Sequence, residues 1–114
     1  MQDFRNLEVW RTAHQLTLNV YKVTRDFPRE ELFGLTSQLR RCSAAVAANI
    51  AEGFGRGTEG DRARLLRLAR GEAEETIQHL SANFRAKRLA PETYWSIHYL
   101  LVVIVKMLNS FLNR

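Results

Sequence analysis

Apolar residues recur every three or four positions along most of this chain, which is the spacing of one buried face of an α-helix. Four such stripes are present, and no segment alternates apolar and polar residues as a half-buried strand does. We therefore predict four helices, over residues 6–26, 35–53, 59–88 and 91–112, in a single domain spanning 1–114. Short connectors between the helices favour an all-α fold, an antiparallel up-and-down four-helix bundle.

Local signals indicate where these helices begin and end. Pro28 closes the first helix, because the residue before a proline avoids helical backbone angles. Thr58 and Asp61 have the spacing of a capping box, so the third helix is expected to begin near Thr58. Pro91 suits the first turn of the fourth helix. Gly71 lies within the third helix at a cost of about 1 kcal/mol relative to alanine, which predicts close packing against it.

Two helices carry small or apolar residues on sides that a monomeric bundle turns to solvent. Ala45, Ala48 and Glu52 form a row on the second helix. Such a row either lets another backbone approach or reflects the high helix propensity of alanine. The fourth helix is apolar nearly all round, and such a helix is expected to be buried on several sides. We predict self-association through an interface formed by Ala45, Ala48, Glu52, Leu100, Val103 and Met107.

The chain is basic, with 17 Lys and Arg against 12 Asp and Glu, a net charge of +5 and a pI near 10.0. Arginine predominates, and its planar fork of donors suits phosphate. One interpretation is a nucleic-acid-binding surface; the other is a solvated basic face in which Arg70 pairs with Glu74. The candidate nucleic-acid-binding residues are Arg56, Arg64, Arg67 and Arg70, with Arg40 and Arg41 as further candidates.

Residues 53–60, GFGRGTEG, contain the G-x-G-x-x-G spacing of dinucleotide-binding loops. That loop requires a preceding strand, whereas the residues before it here are alanine-rich and helical. The glycines are therefore predicted to end the second helix, at Gly53 or Gly55, and to form a turn. Arg56 in this turn lies close to the start of the third helix, where anions are favoured.

The sequence offers little support for a catalytic site or a metal site. None of His14, His79 and His98 follows a glutamate by three residues, as a di-iron bundle site requires. His79 is expected to pair with Glu75 at the surface. The lone Cys42 is expected to be a small core residue. We predict no catalytic residue, no enzymatic activity, no cofactor and no metal.

Two buried or charged side chains of the second helix are assigned structural roles. Asn49 lies between the core and the alanine row, where its amide would need hydrogen-bond partners. Glu52 follows Arg41 along the same row, which suggests an ion pair within or between subunits. The longest apolar run, residues 99–105, is much shorter than the roughly 20 residues of a membrane span. With no secretory signal at the N-terminus, a cytoplasmic location without membrane contact is expected.

Four stretches resemble, in order, one bacterial protein family: FRNLEVW at 4–10, FPREELFGLTSQLRR at 27–41, NIAEGFGR at 49–56 and LARGEAEET at 68–76. It is the four-helix bundle family first found encoded in intervening sequences of 23S ribosomal RNA genes. Its relatives include the accessory variability proteins of diversity-generating retroelements. The chain departs from the family at Glu72, where serine is usual, and matches it only loosely after this last stretch.

The resemblance implies a ring-like homo-oligomer, a pentamer, with a basic surface toward nucleic acid and no established enzymatic activity. A nucleic-acid-associated protein such as a reverse transcriptase is a further candidate partner. The predicted function is a non-enzymatic, oligomeric scaffold that binds RNA or DNA, or accompanies a ribonucleoprotein. The alternative is a structural or protein-interaction module that binds no nucleic acid.

Overall fold

The computed structural model of the chain describes residues 3–55 and 58–113. All regular elements in these two ranges are helical, so the predicted all-α four-helix bundle is confirmed. Short 3₁₀ turns at Phe4–Asn6 and Arg29–Glu31 precede the first and second long helices. The long helices are α1 (Glu8–Thr24), α2 (Leu35–Gly55), α3 (Glu59–Arg85) and α4 (Pro91–Leu112).

The four helices pack in a ring of neighbours. Each helix contacts the next one in the chain, and α4 returns to contact α1, so α1 lies diagonally across the bundle from α3. The connectors are short, which makes consecutive helices antiparallel. The resulting bundle measures 43 × 24 × 20 Å. One end therefore holds the α1–α2 connector and the start of α4, and the other holds the end of α2 and the start of α3.

The core is formed by the apolar stripes that the sequence predicts. In α1 the fully buried residues are Ala13, Leu16 and Val20, and α2 contributes Leu39 and Ile50 on its facing side. Burying a leucine or isoleucine side chain stabilises the fold by about 1.5–3 kcal/mol. The buried stripe of α4 consists of Ile97, Leu101, Ile104 and Leu108. These stripes decide which side of each helix is left for solvent or for a partner.

The sequence predicts the cap at the start of α3 but not the cap at its end. The Thr58 side chain accepts a hydrogen bond from the Asp61 amide at 3.1 Å, as predicted. At the other end α3 stops at Arg85, before the expected limit of 88. Lys87 adopts a left-handed backbone with a φ of 63°, and the Arg88 amide bonds the Asn83 carbonyl. This arrangement is a Schellman cap in which a lysine stands where glycine is usual.

The glycine predictions have different outcomes: α2 ends at Gly55, one of the two predicted positions, whereas close packing at Gly71 is wrong. Helix α2 continues through Gly53, and no described glycine has a positive φ. Gly53 instead allows close approach of α3, because a Cβ placed there would lie 3.3 Å from the Leu65 Cβ. Gly71 has no atom within 4 Å of an added Cβ, so nothing packs closely against it. The segment 56–57, which includes Arg56, lies outside the described residues.

Candidate nucleic-acid interface

Two exposed arginines stand on the outer side of the first half of α3. Arg64 and Arg67 are three residues apart, so their side chains are neighbours on the helix surface. Neither forms an ion pair with any carboxylate in the described part of the chain. Their positive charges are therefore available to an external anion.

Arg70 continues this group toward α4. Its Nη1 donates a hydrogen bond to Asn109 Oδ1 at 2.8 Å, which fixes the half-buried guanidinium across the α3–α4 contact. The alternative pairing of Arg70 with Glu74 is not observed. Because Asn109 is neutral, the bond orients Arg70 without cancelling its charge. We call Arg64, Arg67 and Arg70 the α3 arginine cluster.

Arg41 is exposed, but its guanidinium is paired with carboxylates of α3. Its Nη2 lies 2.8 Å from Glu75 Oε1, and its Nη1 lies 3.8 Å from Glu72 Oε2. The partners of Arg41 thus lie across the α2–α3 contact, and no ion pair with Glu52 along α2 is seen. Among the described candidates for nucleic-acid binding, Arg41 is the one whose charge is most fully compensated.

Arg40 belongs to a different part of the molecule. Its Nε donates to Thr24 Oγ1 at 2.7 Å, and its guanidinium carbon lies 4.8 Å from the centre of the Tyr21 ring. These contacts hold Arg40 against the end of α1. The α3 arginine cluster lies toward the opposite end of the bundle, so the structure does not bring Arg40 to it.

Arg62 is a residue that the sequence analysis did not assign to the site. Its guanidinium carbon lies 4.8 Å from the centre of the Phe54 ring, and its Nε is buried with no hydrogen-bond partner among the described residues. It lines a cavity of about 430 Å³ between the start of α3 and the end of α4, together with Leu66 and Phe111. The available signal was its position on the same side of α3 as Leu66 and Ala69, where an arginine is unusual.

Beside the cluster, α3 carries a carboxylate pair with opposite pKa shifts. Burial, together with repulsion from Glu75, raises the pKa of Glu72 above its ordinary value of 4.5. The hydrogen bond from His79 Nε2, at 3.3 Å, and the nearby Arg41 lower the pKa of Glu75. The predicted pairing of Glu75 with His79 is thus present. Glu72 Oε2 is buried and accepts no hydrogen bond within the described ranges, and the Arg41 Nη1 at 3.8 Å compensates its charge only in part.

Replacing Glu72 with glutamine is expected to raise the free energy of unfolding at pH 7 by up to about 1 kcal/mol, the usual limit for partly exposed charge interactions. The folded-state pKa of Glu72 is raised, so ionisation above that pKa disfavours the folded state. The advantage of Glu72→Gln should therefore vanish as the pH falls below about 4.5. Urea unfolding at pH 7 and pH 4 measures both effects. Glu74→Gln, an exposed neighbour, is the matched control, and an equal gain in that variant would contradict the explanation.

Cys42 is a core residue. It is fully buried, and the Thr76 hydroxyl donates a hydrogen bond to its sulfur at 3.1 Å. Burial raises the pKa of the Cys42 thiol, which disfavours the reactive thiolate. Asn49 is satisfied locally, since its Nδ2 donates to the Ala45 carbonyl at 2.9 Å. No three His, Cys, Asp or Glu side chains of the described residues gather as a metal site would require.

The residues assigned to the oligomer interface differ in exposure. Ala48 and Glu52 are exposed, and Met107 packs partly against the core. The half-buried members of the set are Ala45, Leu100 and Val103. The most exposed large apolar residues of α4 are two that the sequence analysis did not name, Trp95 at 57% and Tyr99 at 66%. They are four residues apart and thus adjacent on one side of the helix.

Helix α4 is also the most apolar helix described. An 18-residue window within Pro91–Leu112 has a mean hydropathy of 1.5, and only 22% of it is buried. By length and composition alone this helix is long and apolar enough to cross a membrane, a test that core helices also pass. In the bundle its buried stripe faces α1 and α3, which leaves the side bearing Trp95 and Tyr99 uncovered.

Comparison with known proteins agrees with this architecture and with the four resembling stretches. A family model described as 23S rRNA-intervening sequence protein matches residues 5–110. A crystal structure from Bacteroides thetaiotaomicron VPI-5482, of a protein with unknown function from the S23 ribosomal protein family, superposes with a TM-score of 0.84 and 25% identity. The match covers 93% of this chain and 99% of that one. Curated proteins provide no match. The chain belongs to the 23S rRNA-intervening sequence protein family.

Proposed function

We propose that this protein is a non-enzymatic, oligomeric scaffold that binds the phosphate backbone of RNA or DNA through the α3 arginine cluster. The proposal rests on the exposure and the contacts of these three arginine side chains. Arg64 and Arg67 are exposed and unpaired among the described residues, and Arg70 is held by a neutral amide. By contrast, Arg41 and Arg88 are each bound to carboxylates.

The spacing of the cluster suits a nucleic-acid strand. Six helical residues separate Arg64 from Arg70, a rise of about 9 Å. One strand of a duplex presents two to three phosphates over roughly that distance. Each guanidinium can donate two parallel hydrogen bonds to a phosphate. One protomer therefore supplies about three phosphate contacts, which is a weak site by itself.

The proposed contact is with the phosphate backbone of the nucleic acid and not with its bases. No aromatic side chain interleaves with the three arginines, so a stacking platform for single strands is not supported. The exposed apolar neighbour is Leu68, which offers no π-face. Phosphate contacts position a protein on nucleic acid but carry no sequence information. Binding is thus expected to be insensitive to base sequence.

Oligomerisation is the second part of the proposal, since several weak clusters in one assembly bind with an avidity that one lacks. The uncovered side of α4, with Trp95 and Tyr99 exposed and Leu100 and Val103 half-buried, supports an apolar contact between copies. The short row of Ala45 and Ala48 on α2 would allow a second close contact. The resemblance to the family makes a pentamer the expected assembly.

A salt series tests the nucleic-acid proposal. Short RNA and DNA duplexes and single strands should bind at low salt, and the affinity should fall as salt rises. Three phosphate contacts per engaged protomer predict a slope of about −2 to −3 in a plot of log affinity against log salt concentration. Fluorescence anisotropy measures it. Absence of binding at about 50 mM salt, or an affinity independent of salt, would contradict the proposal.

The second candidate function is a protein-interaction module that binds no nucleic acid. The observation that favours it is the exposed aromatic pair of α4, because large exposed apolar side chains mark contact sites for proteins. A nucleic-acid-associated protein such as a reverse transcriptase would be the partner in that case. Affinity capture before and after nuclease treatment separates the candidates. A partner that remains after nuclease binds the protein directly, whereas one that is lost was held through nucleic acid.

A further inference from the structure

A second basic site lies at the other end of the bundle, where α1 ends and α2 begins. A cavity of about 250 Å³ there is lined by Arg25, Arg29 and Arg40 and by the hydroxyl-bearing residues Thr24 and Thr36. The rest of its wall is the apolar part of the α1–α2 connector, and no carboxylate lines it. This cavity is separate from the α3 arginine cluster.

Thr36 is the first observation that points to a ligand. The residue is only 2% exposed, and its buried Oγ1 has no hydrogen-bond partner in the part of the chain that the structure describes. An unpaired buried hydroxyl is rare, because losing water without a replacement bond is unfavourable. Thr36 also lies in the first turn of α2, which begins at Leu35, where the helix dipole favours an anion. A bound oxygen atom would satisfy this hydroxyl.

Arg40 is the second observation, because its guanidinium is held in place before any ligand binds. Nε donates to Thr24 Oγ1 at 2.7 Å, and the plane lies over the Tyr21 ring at 4.8 Å. Neither contact neutralises the positive charge of Arg40, and neither involves its two Nη groups. Arg25 and Arg29 are exposed and form no ion pair within the described residues. Three arginines thus line one small cavity.

The acidic residues nearby do not form part of the cavity wall. Glu31 lies 3.2 Å from Arg88 and accepts a bond from the Leu35 amide at 3.5 Å, so its carboxylate lies at the start of α2, beside the cavity and outside its lining. Asp26 lines a different cavity, between α1 and the start of α4. The lining of the Thr36 cavity therefore contains three arginines and no carboxylate.

We propose that this cavity binds a phosphoryl group, as phosphate or a phosphate monoester. Three guanidinium groups and a hydroxyl supply more donors than the two oxygens of a carboxylate accept, whereas a phosphoryl group presents three or four oxygens in a tetrahedral arrangement. Its charge near −2 matches the basic lining. The phosphoryl group belongs either to a small phosphorylated molecule or to the 5′-end of a nucleic-acid strand, because both present the same chemical group.

Calorimetric titration of the full chain with inorganic phosphate, at constant ionic strength in chloride, tests the site. Thr36→Val keeps the shape and removes the hydroxyl, so phosphate should bind about tenfold more weakly, the value of one hydrogen bond to a charged group. The same variant should be at least as stable as the wild type without phosphate, because it removes an unpaired buried group. Arg40→Gln should weaken binding at least about tenfold. Arg11→Gln, an exposed arginine of α1 with the same change in charge, should bind like the wild type.

Comparison of 5′-phosphorylated and 5′-hydroxyl oligonucleotides distinguishes the two sources. If the protein prefers the phosphorylated strand and Thr36→Val removes that preference, the ligand is a nucleic-acid end. If phosphate binds without such a preference, the ligand is a small molecule. The inference is overturned if neither ligand shows a Thr36-dependent signal, or if Thr36→Val binds phosphate as tightly as the wild type. It stands independently of the nucleic-acid proposal, since Arg64→Glu/Arg67→Glu should leave phosphate binding unchanged.

Discussion

Replacing Arg64 and Arg67 together with glutamate is expected to weaken binding of RNA and DNA on the order of 100-fold near 0.1 M salt, since each phosphate contact is worth roughly tenfold there. Both side chains are exposed and unpaired among the described residues, so the substitution removes contacts rather than folding interactions. The slope of log affinity against log salt should fall by about 2. Anisotropy titrations of wild type and variant over the same salt series give both quantities.

The matched control reverses two charges elsewhere. Arg11 and Lys22 are exposed on α1, which lies diagonally across the bundle from α3, and Arg11→Glu/Lys22→Glu changes the net charge by the same amount. If binding depends on the α3 arginine cluster, the control should retain most of the affinity and the full salt slope. An equal loss in both variants would mean that net charge, and not this surface, attracts the nucleic acid.

Replacing Trp95 and Tyr99 with glutamate is expected to dissociate the proposed assembly into protomers of 13.2 kDa. These are the most exposed large apolar residues of α4, at 57% and 66%. An apolar contact between copies would then bury two unpaired carboxylates per protomer, at a cost of several kcal/mol each. Sedimentation velocity at micromolar concentration measures the change. The protomers should still bind nucleic acid, but more weakly, because avidity is lost.

Leu18→Glu/Leu68→Glu provides the control for this experiment. Leu18 on α1 and Leu68 on α3 are 50% and 48% exposed, so the control removes apolar surface of similar exposure outside α4. It should leave the assembly intact. A stable wild-type monomer at micromolar concentration would refute self-association itself, and dissociation by the control alone would place the contact on α1 or α3.

Most of the fold follows from local regularities of the sequence. The stripe that contains Leu16 and Val20 in α1, and the one that contains Leu101 and Ile104 in α4, predicted the buried sides correctly because a helix repeats every 3.6 residues. The Thr58 cap was predictable for a similar reason, since its partner Asp61 is three residues away. The end of α3 was not, because a lysine at position 87 carries no signal for the left-handed conformation that it adopts.

The residue content of the candidate sites could be predicted from the sequence, but the contacts of their side chains could not. The sequence showed an arginine-rich α3, yet it did not show that Arg70 meets Asn109, which is 39 residues away, or that Arg41 meets Glu75, 34 residues away. Such pairs depend on how each helix is rotated about its axis and how far it slides along its neighbour. Those quantities are set by packing between helices, and a shift of one residue turns a side chain by about 100°.

The sequence by itself therefore determined four amphipathic helices, their order and the excess of arginine. Tertiary structure alone decided which charges are compensated and which remain free for a partner. It separated Arg64 and Arg67 from Arg41, and it placed the unpaired hydroxyl of Thr36 in a cavity with Arg40. The physical reason is that periodicity along one helix is a local property, whereas the neutralisation of a charge or the burial of a hydroxyl requires groups from other helices.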